Sequence, residues 1–474
     1  MSESLRCFTA YDVRGRVPDE LNSGIAARIG LAFCRQIGAH RVVVGRDVRL
    51  SSLELAETLC QVLTRAGIDV LDIGLCGTEE VYFAVFNGES QGIDGGIMIT
   101  ASHNPAEYNG MKFVRQGAQP ISADSGLREV AERAASVDWF LNALPDKPER
   151  VGQHIKLPNK RQYISRLLAS LDSASPLRPL TVVVNPGNGC AGPVIDLLEP
   201  HLPFTFIKIN HQPDGSFPNG VPNPLLPEKR EDTARAVREH GADLGIAWDG
   251  DGDRCFFFDG QGHFIEGYYI VGLLAAEVLR RHPGAVILHD PRLIWNTQEM
   301  VAQAGGKAVM TKTGHAFIKE AMRRENAVYG GEMSAHHYFQ DFGCCDSGML
   351  PWLLICNIMS ETRKPLSDLV EERMRAFPVS GEINSTVADP DTVIRMIEER
   401  YADAEKDYTD GLSAAYPNWR FNLRKSNTEP VLRLNVETRG DERLLMQKTA
   451  ELLDLIRSNK KDDGTLRPEM RLRK

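Results

Sequence analysis

The sequence predicts an α/β protein with mixed sheets, in which one α/β unit is built three times and a smaller C-terminal α+β domain follows. Three observations predict it. At 474 residues the chain exceeds one ordinary hydrophobic core. An order of strand, loop, helix and strand recurs three times, at Arg41 to Gly74, Leu180 to Asn210 and Ala285 to Gly314. Each recurrence is followed by a further apolar strand that runs into a polar loop. The period is longer than that of a solenoid repeat, so the units are domains.

The first unit shows the pattern in detail. Val42 to Val44 is a β-branched strand, and Leu53 to Ala66 has the periodicity of an amphipathic helix. Ile68 to Ile73 is the next strand and ends at Gly74. Such a unit implies parallel strands and a right-handed crossover. Pro-containing charged stretches, Pro145 to Pro158 and Pro378 to Pro390, read as linkers. The expected divisions are 1–150, 151–258, 259–375 and 376–474. In the last, helices are expected near Thr392 to Ala404 and Glu442 to Ser458, with strand pairs between them. Lys460 to Lys474 is charged, poor in apolar residues and expected to fray.

Composition narrows the function. Apolar residues at 42% and charged residues at 25% exclude a disordered chain. A net charge of −9 supplies no global basic field, so no nucleic-acid partner is expected, and charge that binds an anion must be local. MSESLRCFTAYDVRG lacks the layout of a secretory signal, and no apolar run approaches the ~20 residues of a membrane span. The nine cysteines form no C-x-x-C pair, which fits reduced thiols and a cytoplasmic location.

The polar loops carry the chemistry. In GGIMITASHNPAEYNGMKF, Ile97 to Ile99 is a buried strand and Pro105 enforces a turn. Ser102 is thus held at a rigid strand end, with His103 beside it and Lys112 nearby. Asp249-Gly-Asp-Gly-Asp-Arg254 follows the apolar run Leu244 to Trp248. Asp249, Asp251 and Asp253 can converge on one hard cation, and Mg²⁺ suits few carboxylates plus a phosphate oxygen. The loop is no EF-hand: positions six and twelve are Arg254 and Gly260 instead of glycine and glutamate. Glu332-Met-Ser-Ala-His336 offers groups for sugar hydroxyls. Arg424-Lys-Ser-Asn-Thr428 combines cations, hydroxyls and turn N–H groups into an anion cradle. Arg14, Lys112, Arg254, Arg292 and His315 could together neutralise a doubly phosphorylated ligand.

TASHNP, DGDGDR, GEMSAHH and RKSNTEPVLR, in that order and at those separations, resemble the α-D-phosphohexomutase family, from Tyr11-Asp-Val-Arg-Gly15 to about Ser458. GEMS resembles the phosphomannomutase and phosphomannomutase/phosphoglucomutase branch. The resemblance implies four domains around one central cleft. It implies a phosphoserine at Ser102, with Mg²⁺ held by Ser102, Asp249, Asp251 and Asp253. Arg14, His103, Lys112 and Arg254 are expected at the reacting groups. Substrate is expected at Tyr11, Arg292, His315, Glu332, Ser334, His336, Arg424, Ser426, Asn427 and Thr428. Glu429, a carboxylate beside that cradle, is expected to point away or to order Arg433.

The implied activity interconverts mannose 6-phosphate and mannose 1-phosphate through a hexose 1,6-bisphosphate, feeding GDP-mannose synthesis. The general base is left open among Lys112, His103, His315 and His336. A phosphoglucomutase, a dual-specificity mutase and a Mg²⁺-dependent sugar phosphatase are the alternatives. The expected partner is a phosphosugar, with no membrane, and the chain is expected to be a monomer or weak dimer.

Overall fold

A computed structural model describes residues 5–144, 148, 150–157, 160–171, 176–425 and 431–458. The chain divides into two compact units. The larger comprises Met1–Asp290 with Ile294–Arg373, and the smaller Pro291–Leu293 with Met374–Lys474.

The larger unit holds three mixed sheets. In the first, the strand order is His154–Lys156, Asp69–Leu75, Arg41–Arg46, Gly95–Ile99, Tyr108–Arg115, Val13–Arg16, with Gln119–Pro120 also on Tyr108–Arg115. The second runs Thr205–Lys208, Thr181–Asn185, Leu244–Trp248, Cys255–Phe258, Phe264–Ile265. The third runs Lys307–Met310, Val286–His289, Tyr329–Gly331, His337–Phe339, Cys345–Asp346.

One pairing pattern is common to all three: two parallel pairs and then two antiparallel pairs. The inner parallel strands are buried on both faces, which is why Val42 to Val44 and Val182 to Val184 read as unbroken apolar runs. Helices flank them, and Ser52–Arg65 turns Leu55, Leu59 and Leu63 into the core at intervals of four. The expected helix over Leu53 to Ala66 thus falls within one residue of the observed one.

In every sheet the distinctive loop leaves the third strand of this pattern and returns as the antiparallel fourth. These loops are 100–107, 249–254 and 332–336. The three polar loops singled out in the sequence therefore occupy one topological position in three copies of one sheet.

The smaller unit has an all-antiparallel sheet, ordered Ile383–Thr386, Val431–Thr438, Trp419–Lys425, Leu412–Ala415, Glu405–Asp407. Helices Pro390–Arg400 and Glu442–Arg457 close its core through Val393, Ile397, Leu452 and Ile456. The first helix begins where Asp389 caps the N–H of Thr392 at 3.2 Å and proline takes the first turn. It ends at Arg400, before the expected Ala404.

Both expected linkers contain strands. His154–Lys156 lies within Pro145 to Pro158 and pairs with Val70 to Asp72. Ile383–Thr386 lies within Pro378 to Pro390 and pairs with Val431 to Leu434. Both are short edge strands, and an edge tolerates the charge and proline that made these stretches read as linkers. Lys460 to Lys474 lies outside the described residues.

Candidate functional site

The loop after Gly95–Ile99 places Ser102 with φ +49°, a left-handed conformation that costs a non-glycine residue energy. Two features hold it there. The Ser102 N–H donates to Thr100 Oγ1 at 2.8 Å. The buried Arg49 guanidinium donates to the carbonyls of Ser102 (2.9 Å), Asn104 (2.6 Å), Pro105 (2.7 Å) and Tyr108 (2.8 Å). Arg49 was not singled out in the sequence, where Gly45 to Ser52 reads as a loop between strand and helix.

Ser102 Oγ donates to Asp249 Oδ2 at 2.9 Å and lies 3.1 Å from His103 Nδ1. Loops of two sheets therefore meet at this oxygen. Their backbones touch: a Cβ on Gly250 would stand 2.5 Å from the Ser102 carbonyl oxygen. Arg254 completes the contact, its Nε donating to Asp249 Oδ2 at 2.9 Å and its Nη2 donating to His103 Nδ1. Arg14 donates twice to Asp12 Oδ2 (3.0 and 2.9 Å) and once to Asn104 (3.1 Å), so it stands beside the same loop.

Asp249, Asp251 and Asp253 are fully buried, and one oxygen of each lies within 4.8 Å of the others. Lys112 Nζ donates to Asp251 Oδ2 at 2.7 Å and Asp253 Oδ2 at 2.5 Å. Thr78 Oγ1, at the start of helix Thr78–Asn87, donates to Asp251 Oδ2 at 2.5 Å. Yet Asp251 Oδ1 and Asp253 Oδ1 are buried with no hydrogen-bond partner among the described residues. Carboxylate oxygens left without a hydrogen-bond partner on two of three clustered, buried aspartates fit a hard cation. The three aspartates could hold a metal ion.

Electrostatics sort the neighbours. Burial raises the Asp249 carboxyl to about 6 against the pull of Arg254. Against burial, Lys112 holds Asp253 well below its ordinary range, with help from His336. Despite its own desolvation, Lys112 is held charged by Asp251 and Asp253. Burial and then Arg254 keep His103 neutral.

The third loop, from Glu332 to His336, is anchored by its own acid. Glu332 accepts from Tyr338 OH (2.7 Å), His336 Nδ1 (3.0 Å) and the Gly314 N–H (3.1 Å). Asp290 accepts the Met333 N–H at 2.8 Å. His336 Nε2 is 3.4 Å from Asp253, which ties this loop to the aspartates. Despite desolvation, Asp253 and then Glu332 raise His336 to about 9. Ser334 is half-buried in the same loop. His315 packs edge-on against Tyr11 at 4.8 Å. Both its ring nitrogens are buried without a hydrogen-bond partner among the described residues, and burial followed by Lys319 keeps it neutral.

Two further buried contacts were not foreseen. Lys319 pairs with Asp346 at 2.5 Å and lies 3.7 Å from the Tyr82 ring. Asp346 is also within 4.8 Å of Asp253 and His336 donors. Glu79, next to Thr78, accepts from Tyr163 OH (2.7 Å), Ser347 Oγ (3.0 Å), the Gly348 N–H (2.5 Å) and the Met349 N–H (3.1 Å). Helix Thr78–Asn87 is thereby fastened to the third sheet's last loop while its first residue holds Asp251.

The smaller unit carries its own cluster. Glu382 faces Arg424 (3.2 Å), Arg433 (3.3 Å) and Arg292 (3.5 Å). Against burial, Arg292, Arg424 and Arg433 hold its carboxyl below the ordinary range. Three guanidiniums gathered on one carboxylate make a group of donors that can also hold an anion. Arg424 Nε is buried without a hydrogen-bond partner among the described residues. Arg420 places Arg292 by donating to the carbonyls of Pro291 (2.8 Å) and Arg292 (2.9 Å), backed by Glu437 (2.8 Å). Ser426, Asn427, Thr428 and Glu429 lie outside the described residues.

The structure thus brings Arg14, Ser102, His103, Lys112, Asp249, Asp251, Asp253, Arg254, Glu332 and His336 into one connected network. Arg292 and Arg424 stand together in the smaller unit.

Comparison with known proteins agrees with this arrangement. The chain matches the phosphoglucomutase/phosphomannomutase family in α/β/α domain I over residues 5–139, domain II over 161–262 and domain III over 266–377. The family's C-terminal domain matches residues 382–455. A protein of Xanthomonas campestris pv. campestris named "Phosphohexose mutases" is 56% identical over 456 residues, covering 96% of this chain and 100% of that one. The "Phosphomannomutase" of Salmonella montevideo is 56% identical over 462 residues, covering 96% and 100%. The crystal structure of a phosphoglucomutase/phosphomannomutase family protein from Burkholderia thailandensis superposes with a TM-score of 0.83. It is 31% identical, covering 97% of this chain and 99% of that one. With all four domains matched in order, the chain belongs to the phosphoglucomutase/phosphomannomutase family.

Proposed function

We propose that this protein is a phosphomannomutase, interconverting mannose 6-phosphate and mannose 1-phosphate through a phosphoserine at Ser102 and a hexose 1,6-bisphosphate. The observation that carries the reading is Ser102 Oγ, 2.9 Å from the first of three buried aspartates, two of which, Asp251 and Asp253, each keep an oxygen without a hydrogen-bond partner among the described residues. The names of relatives at 50–56% identity support it.

Ser102 Oγ carries the phosphoryl group between turnovers. In transfer, its O–P bond breaks as an O–P bond forms to a sugar hydroxyl, and the hydroxyl proton passes to a base. The second phosphate then returns to Ser102 by the reverse step. Arg254, held beside Ser102 by Asp249, is placed to stabilise charge on the transferring oxygens. Lys112 is held charged and acts as a fixed cation. His315 is the favoured proton acceptor, being neutral with both ring nitrogens unengaged among the described residues. His336, charged through Asp253 and Glu332, turns one ring nitrogen to each and so ties the sugar loop to the metal loop while adding positive charge to the site. Glu332, Ser334 and Tyr11 orient sugar hydroxyls. Asp249, Asp251, Asp253 and Ser102 would hold Mg²⁺, which when bound neutralises phosphoryl charge and polarises the transferring group.

The arginines around Glu382 bind a phosphate, with Ser426, Asn427 and Thr428 as further donors. The working divisions are 1–150, 151–258, 259–375 and 376–474. No helix among the described residues is long and apolar enough to cross a membrane. We place the enzyme in the cytoplasm, acting as a monomer or weak dimer and feeding GDP-mannose synthesis.

The test is phosphosite mapping after incubation with mannose 1,6-bisphosphate. A phosphate found on Ser102, and passed to an added monophosphate, supports the reading. Inorganic phosphate released at the turnover rate would instead identify a phosphatase. The ratio of kcat/KM for mannose 1-phosphate and glucose 1-phosphate decides the sugar, since the Xanthomonas relative's name covers more than one hexose.

A further inference from the structure

We propose that Cys60, Asp72 and His154 form a second metal site, for a borderline-soft divalent cation of the Zn²⁺ class, apart from the aspartate loop. The three residues come from helix Ser52–Arg65, strand Asp69–Leu75 and the edge strand His154–Lys156. Their donor atoms all lie within 4.8 Å of one another.

Each donor is presented in a way that suits a ligand. The Cys60 sulfur is buried at 1% exposure, on the face of the helix turned to the sheet. Asp72 is oriented by the Gly74 N–H, which donates to its Oδ1 at 2.9 Å. Its other oxygen, Oδ2, faces His154 Nε2 at 3.0 Å. Such outer hydrogen bonding of a ligating carboxylate is the usual support of a metal site. The His154 side chain is 34% exposed and that of Asp72 is 23% exposed, which leaves a path from solvent and room for a water as fourth ligand.

Ligand chemistry separates this site from the first. A thiolate, an imidazole and one carboxylate suit Zn²⁺ in tetrahedral geometry, whereas three carboxylates suit Mg²⁺. Tetrahedral ligands about 2.0–2.3 Å from zinc stand roughly 3.5 Å apart. No pair here is wider than 4.8 Å, so an adjustment of about 1 Å at most, within the swing of the exposed imidazole, reaches that spacing. Burial, then Asp72 and Glu57, push the Cys60 thiol up to about 12, so the ion displaces one proton to solvent as it binds.

A bound ion would clamp the edge strand to the sheet. His154–Lys156 is, with Gln119–Pro120, one of two strands that the other two sheets lack, and it pairs on one side only. The clamp joins it both to its neighbour and to the helix that leads on from Arg49, Ser51 and Ser52.

The test is titration of the full-length protein with Co²⁺, under reducing conditions and saturating Mg²⁺. Thiolate-to-cobalt charge transfer absorbs in the near ultraviolet, and carboxylates give no such band. The expected result is a band that saturates at one equivalent and persists in Asp251→Asn. It should be lost in Cys60→Ser, and Co²⁺ affinity should fall at least tenfold in His154→Ala. A matching readout is a Zn²⁺-dependent rise in Tm in wild type that His154→Ala lacks. His154 is exposed, so that variant tests the site without disturbing the core. No band in wild type, or a band that His154→Ala leaves unchanged, overturns the proposal.

Discussion

Replacing Gly250 by alanine should disable the enzyme while leaving it folded. The added Cβ would stand 2.5 Å from the Ser102 carbonyl oxygen and 3.4 Å from its carbon. Gly250 does not have a left-handed φ, so the strain comes from this contact alone. The carbonyl cannot turn away, because Arg49 grips it at 2.9 Å. The two loops must therefore part by roughly 0.5–1 Å to restore ordinary contact. The 2.9 Å bond from Ser102 to Asp249 spans the same gap and would be lost. A misplacement of about 1 Å at a reacting group costs about 10²-fold in rate, or about 2.7 kcal/mol of barrier. The overpacking itself should cost about 1–3 kcal/mol of stability. The assay is kcat on mannose 1-phosphate with activating 1,6-bisphosphate, alongside Tm. Gly24→Ala is the control, since a Cβ there meets nothing closer than 3.4 Å. Full stability with kcat within twofold of wild type would refute the reasoning.

Other outcomes follow from the same geometry. Ser102→Ala should abolish mutase turnover at any bisphosphate concentration; restored activity would remove the serine from the mechanism. Asp253→Asn should weaken Mg²⁺ activation at least tenfold, and chelation should silence wild type reversibly; an unchanged Mg²⁺ dependence would count against the metal loop. Glu79 yields a pH prediction. Burial raises it from 4.5 to about 8 against its four donors, so the folded state binds its proton more tightly than the unfolded state. Its contribution to stability is full below about pH 4.5 and is lost as pH rises through 8. Glu79→Gln mimics the protonated form, because its amide can donate where Tyr163 and Ser347 then accept. The Tm of the variant should fall less than wild type between pH 5 and 9, and parallel curves would reject this. Glu382→Gln removes the carboxylate that Arg292, Arg424 and Arg433 share and should cost on the order of 2 kcal/mol. Millimolar inorganic phosphate should recover part of the lost Tm, and equal Tm values without phosphate would contradict the charge argument.

Much of this site was legible in the sequence because its loops follow strongly apolar strands. Val42 to Val44 and Leu244 to Trp248 announce buried strands by their unbroken runs, and the polar residues after them must then be loops. Alternating aspartates with glycines announce a cation by the repulsion they would otherwise suffer. The supports were less legible, since they depend on what distant elements bring together. Arg49, Glu79 and Lys319 look like surface charges in a linear chain. Each is buried because something from another element compensates it: a row of carbonyls for Arg49, Tyr163 and the 347–349 loop for Glu79, and Asp346 for Lys319. Glu382 was hidden for a related reason: it lies in a proline-bounded stretch that reads as a linker, and only pairing with Val431–Thr438 makes it structural. His154–Lys156 shares that cause.

The repeated position of the three loops has a practical consequence. Each begins after a strand whose register with the returning strand is set by its own ladder, Ile99 to Met111, Trp248 to Cys255 and Gly331 to His337. Lengthening or rewriting one loop changes no strand pairing, so the hairpin tolerates new content as a socket tolerates different plugs. Yet the loops touch, Ser102 against Asp249 and His336 against Asp253, so their contents must match as a set even though each hairpin is independent. New sugar preferences are then best sought at 333–335, keeping Glu332 and His336, because His336 stands 3.4 Å from Asp253.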